Sequence, residues 1–596
     1  MKNKNVFSIS PALLRENLKL CWYLPALAFV LYFFAGIFPI IINLPDLSSV
    51  TDYIEESLNN YNIIYPVYMA GIPLVAAMLM MSFFHKPSKA LAMHSQPYSR
   101  AKLFNSHVLA GWIMCILPVF LMAMLYLNFM KDIYTFEDVI RWLASSIGII
   151  TFFYGMYIFA GSLTGNSAMH LLLSGLFFVI VPVLLILVST YCESYINGFV
   201  SLPDYVSDAM RCFNPLIMML TEGMNNVAAV RTTITYLILG LLFIGAGSMA
   251  YRLAKLENVG DSIIFRTVEE IITYLVVFVG MTIFGFFFQS FDESSKGVLI
   301  LGMVTGTLIT FFVTKVVIAR SVKIFNLKNL KSLVIYVVIA AVFTAFTVYD
   351  ISGISRRLPK LEQIRSVNCE YMFDGYEMDY FAYGSFRELS DVAEITSPTV
   401  IGKVYQLHKY IIENDLPCEL QRAARYDMYD SEGQTVPIEY VSFEYEYKNG
   451  SEFKRRFYLA LDDKTVELIN DIVTDADFKK AITLSDKIPS ELYDDSFAAV
   501  EYGGDTVIIS STSEIKKIIE AYDRDVYNSS YMDIYKHTVS DDRLSADAEM
   551  LSDIYCSVSI VFPNGSTKSQ DAEIRFFVDE YHPEVWKFLE ESGYVG

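Results

Sequence analysis

At 596 residues the chain is too long for one compact domain, and a hydrophobic content of 54% with a mean hydropathy of +0.37 is too apolar for a wholly soluble one. The formal net charge of −20 belongs to the C-terminal part: residues 351–596 carry 25 Lys+Arg against 47 Asp+Glu, whereas residues 1–350 carry 21 and 19. So acidic a surface excludes nucleic acid as a partner, because phosphates demand clustered cations.

In chain order, "SISPALLRENLKLCWYLP" predicts a helix with Ser10 as cap and Pro11 in its first turn. Leu14 and Leu18 share one side and Arg15 and Lys19 a neighbouring one, which suits a helix lying on the inner membrane surface over residues 1–20; a polar extension of the first span is the alternative. About nine stretches of bilayer-crossing length follow, near 21–43, 63–84, 107–129, 142–163, 169–191, 232–253, 271–289, 297–319 and 332–350. The first is too long for a cleaved signal and has no small-residue cleavage site after it. The fourth and fifth are joined only by "TGNSA" but together are too long for a single crossing. Residues 21–350 thus read as a polytopic α-helical membrane bundle.

Basic residues fall in alternate connections. One set holds Lys2, Lys4, Arg15 and Lys19, then Lys86, Lys89, Arg100 and Lys102, then Arg252, Lys255 and Arg266, then Lys315, Arg320, Lys323, Lys328 and Lys331. The other is acidic, with Asp46, Asp52, Glu55 and Glu56, then Glu193, Asp204, Asp208 and Glu222, then Asp292 and Glu293. Lys and Arg mark the cytoplasmic side, so the N-terminus is expected inside and, after an odd number of crossings, residues 351–596 outside. No Asp, Glu, Lys or Arg is expected deep in a span, which argues against ion-coupled transport, and His170 reads as an interfacial histidine. Small residues in "GSLTG" (Gly161, Gly165), "GLLFIGAG" (Gly240, Gly245, Gly247) and "GMVTG" (Gly302, Gly306) allow close helix approach.

After residue 350 the pattern changes to α+β. "YVSFEYEYKNGSEFKRRFYLAL" alternates Val441, Phe443, Tyr445 and Tyr447 on one face, turns at Asn449 and Gly450, and returns with Phe453, Phe457 and Leu459. "YCSVSIVFPNGSTKSQDAEIRFFV" repeats the theme around Asn564 and Gly565. Each hairpin lies between helical stretches, so two tandem similar α+β units are expected, over 351–480 and 481–596. Their aromatic strands read first as sheet packing; binding of a cationic peptide or drug, or capping of an exit path, is the sharper alternative.

Enzyme signatures are absent: no P-loop, no H-E-x-x-H and no G-x-S-x-G can be read. The histidines are scattered, with no metal-ligand spacing, so no catalytic, cofactor or metal residues are assigned. Cys192 and Cys212 are close enough in sequence for their pairing to stay open.

The loop "HKPSKALAMHSQPYSRAKLF" resembles the "HSLP-x-x-R" element of the ABC-2-type permeases of Gram-positive bacteria, with His94, Ser95, Pro97 and Arg100 matching and Gln96 in place of Leu. "YRLAKLENVGDSIIF", with Arg252, Glu257 and Gly260, is similar to that family's "Y-x-x-R-x-x-E-x-x-G" segment. "DISGISRRLPKLEQIRSV", "LHKYII" and "YEYKNGSEFKRRFYL" resemble the extracytoplasmic region of one subgroup. The resemblance implies the non-enzymatic, multi-pass plasma-membrane permease subunit of an ATP-binding-cassette exporter. ATP would bind a separate ATPase subunit docking on loops 85–106 and 252–270, with His94, Ser95, Pro97, Arg100, Lys102, Arg252, Glu257 and Gly260 as coupling residues. A second permease, identical or homologous, and the lipid bilayer are its other implied partners. The alternative is a membrane-anchored extracellular ligand sensor without transport.

Overall fold

The computed structural model describes most of the chain. The longer stretches outside the description are 1–7, 44–63, 130–133, 201–213, 219–229, 373–393, 415–427, 430–434, 529–555 and 563–571, with short ones of up to four residues elsewhere. The chain divides into two compact units, one of residues 1–189 and 202–342, the other of residues 190–201 and 343–596.

The first unit is helical. An amphipathic α1 (Pro11–Leu20) precedes α2 (Tyr23–Ala35) and α3 (Ile37–Asn43), which are interrupted at Gly36. Then come α4 (Ile64–Met81), the short α5 (Pro87–His94), α6 (Arg100–Phe129), α7 (Phe136–Leu163), α8 (Ser167–Tyr195), α9 (Val230–Leu253), α10 (Arg266–Gln289), α11 (Lys296–Ala319) and α12 (Leu327–Thr347). Among the described residues, eight helical stretches are long and apolar enough to cross a membrane, taking Tyr23–Ile42 as one; the second expected span is α4, whose apolar stretch Val67–Met81 is shorter. "TGNSA" is a true break between α7 and α8. Pro11 opens α1 as expected, but the Ser10 side chain makes no cap bond; its backbone N–H donates to Ser106 Oγ at 2.8 Å instead.

Lipid offers helices no hydrophobic gain for associating, so close packing at small residues holds the bundle. A Cβ on Gly155 of α7 would overlap the carbonyl of Gly240 on α9, and one on Gly240 would overlap the Thr151 backbone. Gly302 and Gly306 of α11 abut Phe284 of α10 in the same way, whereas Gly245 has open space around it. Tyr154 O–H donates to Val108 O at 2.8 Å and Trp112 Nε1–H to Thr151 Oγ1 at 3.0 Å, tying α6 to α7.

The second unit contains two sheets of identical plan. The first comprises β1 (Ile364–Asn368), β2 (Glu394–Ile395), α13 (Pro398–Glu413), β5 (Ile438–Tyr447), β6 (Glu452–Ala460) and α14 (Asp463–Val473), with a small β3 (Met428–Tyr429) and β4 (Thr435–Val436) pair before β5. After α15 (Ala476–Ile482) come β7 (Phe497–Tyr502), β8 (Asp505–Ile509), α16 (Thr512–Asn528), β9 (Cys556–Phe562), β10 (Ala572–Val578) and α17 (Pro583–Glu591). The strand orders are β2-β1-β5-β6 and β8-β7-β9-β10, antiparallel throughout. Each sheet therefore repeats ββαββα with equivalent neighbours. Val441, Phe443, Tyr445, Phe457 and Leu459 are buried on the expected face, and Gly450 takes a φ of +78° in the expected turn. The turn around Asn564 and Gly565, and Cys212, lie outside the described residues.

The same unit includes the last turns of α8 and α12. The Tyr191 and Phe343 rings meet edge to face at 5.4 Å, and the Arg456 N–H donates to Gly198 O at 3.3 Å. Gly198 has a φ of +77° and presses on the Phe457 ring, a place for glycine alone. After α12, Asp350 accepts from Ile354 N and Ser355 N, both at 2.9 Å, and from the hydroxyls of Ser352 and Ser355. These donors hold its carboxyl below the usual range against the opposing effect of burial.

Candidate functional site

Three connections of the first unit meet in one place. Pro87 opens α5, which buries Ala90 and leaves Leu91 64% exposed. His94 ends it. Its Nδ1 lies 2.7 Å from Ala90 O, and because a carbonyl only accepts, Nδ1 carries the proton. Nε2 then accepts from Tyr251 O–H at 2.8 Å. Tyr251, in the last turn of α9, is fully buried, stacked on Phe104 at 5.3 Å and edge-on to Phe84 at 5.1 Å. Burial chiefly, with the nearby Arg100 cation, lowers the His94 pKa against the Ala90 bond, which favours the neutral ring this network needs.

Arg100 begins α6, and its Nη1 donates to Arg252 O at 3.0 Å and Ala254 O at 2.7 Å. Helix α9 ends at Leu253, so these carbonyls are among those a helix C-terminus leaves unsatisfied, at the negative end of its dipole. A guanidinium meets both needs. Arg100 therefore acts as a clamp between connections.

The third connection, 164–166, zips onto 258–264. Gly165 N–H donates to Asp261 O at 3.1 Å, Gly260 N–H to Gly165 O at 2.9 Å and Ile264 N–H to Leu163 O at 2.9 Å, while Asn166 Nδ2–H reaches Asp261 O at 3.0 Å. Gly260 has a φ of +105°, and a Cβ on Gly165 would sit 2.6 Å from Asp261 O, so both positions require glycine. Arg320, the left-handed cap of α11, donates to Gly260 O at 3.4 Å.

Of the residues singled out by sequence, His94, Arg100, Arg252 through its carbonyl, and Gly260 form this clasp. Ser95 Oγ–H bonds locally to Ala92 O at 2.8 Å, and Pro97 and Glu257 are exposed. Lys102 bonds through its backbone N–H to Ser99 Oγ at 3.2 Å, with its ammonium 5.8 Å from the Tyr98 ring. Sequence reasoning missed Tyr251, Asn166 and Asp261. The Gly-Asn pair in "TGNSA" was a turn signal for one connection, but nothing local marks its partner.

One expectation about charge changes. Lys315 is not in a connection: it lies within α11, buried, with Nζ 3.0 Å from Glu269 Oε1 and 3.3 Å from Glu270 Oε2 of α10. Ser332 Oγ–H of α12 donates to Glu270 Oε2 at 2.7 Å, so one charge cluster joins three helices near their ends. Burial of a lysine is tolerable because its partners are carboxylates. His170, in the first turns of α8, is fully buried within the protein, donating through Nε2–H to Tyr157 O at 2.8 Å. Among the described residues no group of three or more His, Cys, Asp or Glu is placed to hold a metal ion.

Eight apolar helices of crossing length among the described residues, followed by an α+β unit, make this a multi-pass membrane protein. The chain is 25% identical over 246 residues, covering 39% of its own length and 71% of the relative's, to the probable ABC transporter permease YtrD of Bacillus subtilis (strain 168). No family model and no solved structure matches.

Proposed function

We propose that the chain is the membrane subunit of an ATP-binding-cassette exporter, in which ATP is hydrolysed by a separate cytoplasmic subunit. The observation that carries the reading is the clasp of α5, the end of α9 and the 164–166 connection. It builds a stiff surface from three alternate connections, as a part that receives force from a docked motor must be. The loop sequences resembling the permease family fall within it, and the bacillary relative's name points the same way.

The contact face is the outer side of α5. Exposed Leu91, flanked by exposed Lys86 and Lys89, offers an apolar anchor with a cationic rim. Arg100, His94, Tyr251 and Gly260 hold that face in position from behind. The alternating basic connections support a cytoplasmic clasp and an extracytoplasmic second unit. A second permease, identical or homologous, completes the translocation path, and export is the direction the family resemblance supports.

The test is purification from native membranes, with an ATP-binding-cassette ATPase expected to accompany the chain. Leu91→Asp is expected to reduce that association at least tenfold without lowering thermal stability, whereas Arg100→Glu should lower both. A chain that purifies without an ATPase but still captures an extracellular ligand would make it a sensor and sink the transporter reading.

A further inference from the structure

Two buried histidines converge on one glycine of α7. His85, just ahead of α5, is 3% exposed and its Nε2 lies 2.9 Å from Gly161 O. His170, in the first turns of α8, is 0% exposed and bonded through Nε2 to Tyr157 O at 2.8 Å, four residues from Gly161 on the same helix. The rings stand edge to face with centroids 5.0 Å apart. Since carbonyls only accept, both Nε2 atoms carry the proton and both Nδ1 atoms carry a lone pair. Each Nδ1 is buried without a hydrogen-bond partner. A buried acceptor left so is unfavourable, and two in adjacent rings is an arrangement that asks for an electron-poor occupant.

The surroundings select the occupant. A Cβ on Gly161 would come within 2.8 Å of His170 Cε1 and 3.1 Å of Met81 Cγ, so the imidazole and the thioether side chain crowd the same spot. The fixed Nε2–H to carbonyl bond is the outer contact that metal-ligating imidazoles characteristically make, orienting the ring and raising its basicity. We propose that His85 and His170 form a two-nitrogen site for a single soft monovalent metal ion, copper(I), with Met81 as a third, weaker donor. A neutral nitrogen and thioether set matches a soft ion. Zinc favours three or four His, Cys or carboxylate ligands, and a divalent charge is costlier to bury without an anionic partner. Binding uses two existing lone pairs, displaces no proton and changes no oxidation state. Bound there, the ion links the residue preceding α5 to α7 and α8. The site stands whether or not α5 is a docking element.

The full-length purified chain is titrated anaerobically with copper(I) against a chromogenic copper(I) chelator, and separately with silver(I). One equivalent per chain is expected, with affinity falling at least tenfold in His85→Gln and in His170→Gln, substitutions that keep an N–H donor near the backbone carbonyl. Met81→Leu should weaken binding less. X-ray absorption of the copper-loaded wild-type chain should show two nitrogen neighbours. Should the glutamine variants fail to fold, the wild-type stoichiometry and spectrum still decide. The proposal is overturned by a wild-type chain that takes up no copper beyond what a His85→Gln/His170→Gln double variant takes up, or by a spectrum showing thiolate-only coordination.

Discussion

Arg100 is half-buried because its guanidinium answers two carbonyls that α9 cannot satisfy itself. Charge-assisted bonds of this kind contribute about 1.5–3 kcal/mol each, so Arg100→Ala should speed hydrogen exchange of the 254–258 amides, and Arg100→Lys, lacking the planar fork, should restore only part of the protection. Unchanged exchange in Arg100→Ala would show that the clamp carries no load. His408 of α13 offers a second residue-scale test. It is fully buried, stacked on Phe443 at 4.5 Å with Nδ1 3.1 Å from Tyr445 Oη, and burial, aided by the Arg455 cation, pushes its pKa down to about 3. The folded ring stays neutral while the unfolded one protonates near pH 6.5, so its contribution is complete above that pH and is lost as pH falls toward 3, by at most about 1.4 kcal/mol per unit. Protection factors of the β5 and β6 amides, corrected for the intrinsic pH dependence of exchange, should fall over that window in the wild-type chain, and His408→Phe should flatten the dependence. His94 and Arg100 could be picked from one short motif and Tyr251 opens the other, but nothing local in either marks that this tyrosine meets an imidazole 157 residues away.

At the scale of elements, helices of bilayer length were readable because crossing lipid forces about 20 apolar residues into a row. The hairpin faces were readable because a strand's side chains alternate, and Val441, Phe443 and Tyr445 are all buried as that period requires. Which glycines matter was not readable. Gly240 meets the Thr151 backbone while Gly245 faces open space on the same helix, so Gly240→Val should abolish folded yield and Gly245→Val leave it near normal, as read by size-exclusion chromatography of detergent extracts. The Lys315 cluster was missed because an isolated lysine near a span end looks topogenic; its partners are 45 and 46 residues earlier in the chain. Removing one member of a buried charge set strands the others, at a cost of up to about 3–5 kcal/mol when desolvation is complete. Glu269 and Glu270 are about a quarter exposed, so a smaller loss is expected for Lys315→Met, with partial recovery in the Lys315→Met/Glu269→Gln/Glu270→Gln triple variant. A triple variant less stable than the single one would refute the charge-pair account.

For the molecule as a whole, the alternation of crossings leaves a pattern in each unit. Within the first, the connections after α4, α7 and α9 are bonded to one another; within the second, the segment after α8 is bonded to β6. Sided labelling tests the proposed orientation: under it, a cysteine at Ser95 should react only when the cytoplasmic face is opened, and one at Asp505 in intact cells. Both reacting from one side would remove the odd number of crossings on which the extracytoplasmic placement depends. Composition and periodicity alone set the membrane half, the acidic α+β half and the paired hairpins, because burial in lipid or in a sheet imposes a repeat that any stretch of chain shows by itself. Which connections close on each other, that both sheets share one strand order, that a lysine finds two glutamates and that two histidines face one glycine depended on the folded chain. Those contacts join residues from about a dozen to more than 150 positions apart, and no local pattern encodes a partner that only packing brings near.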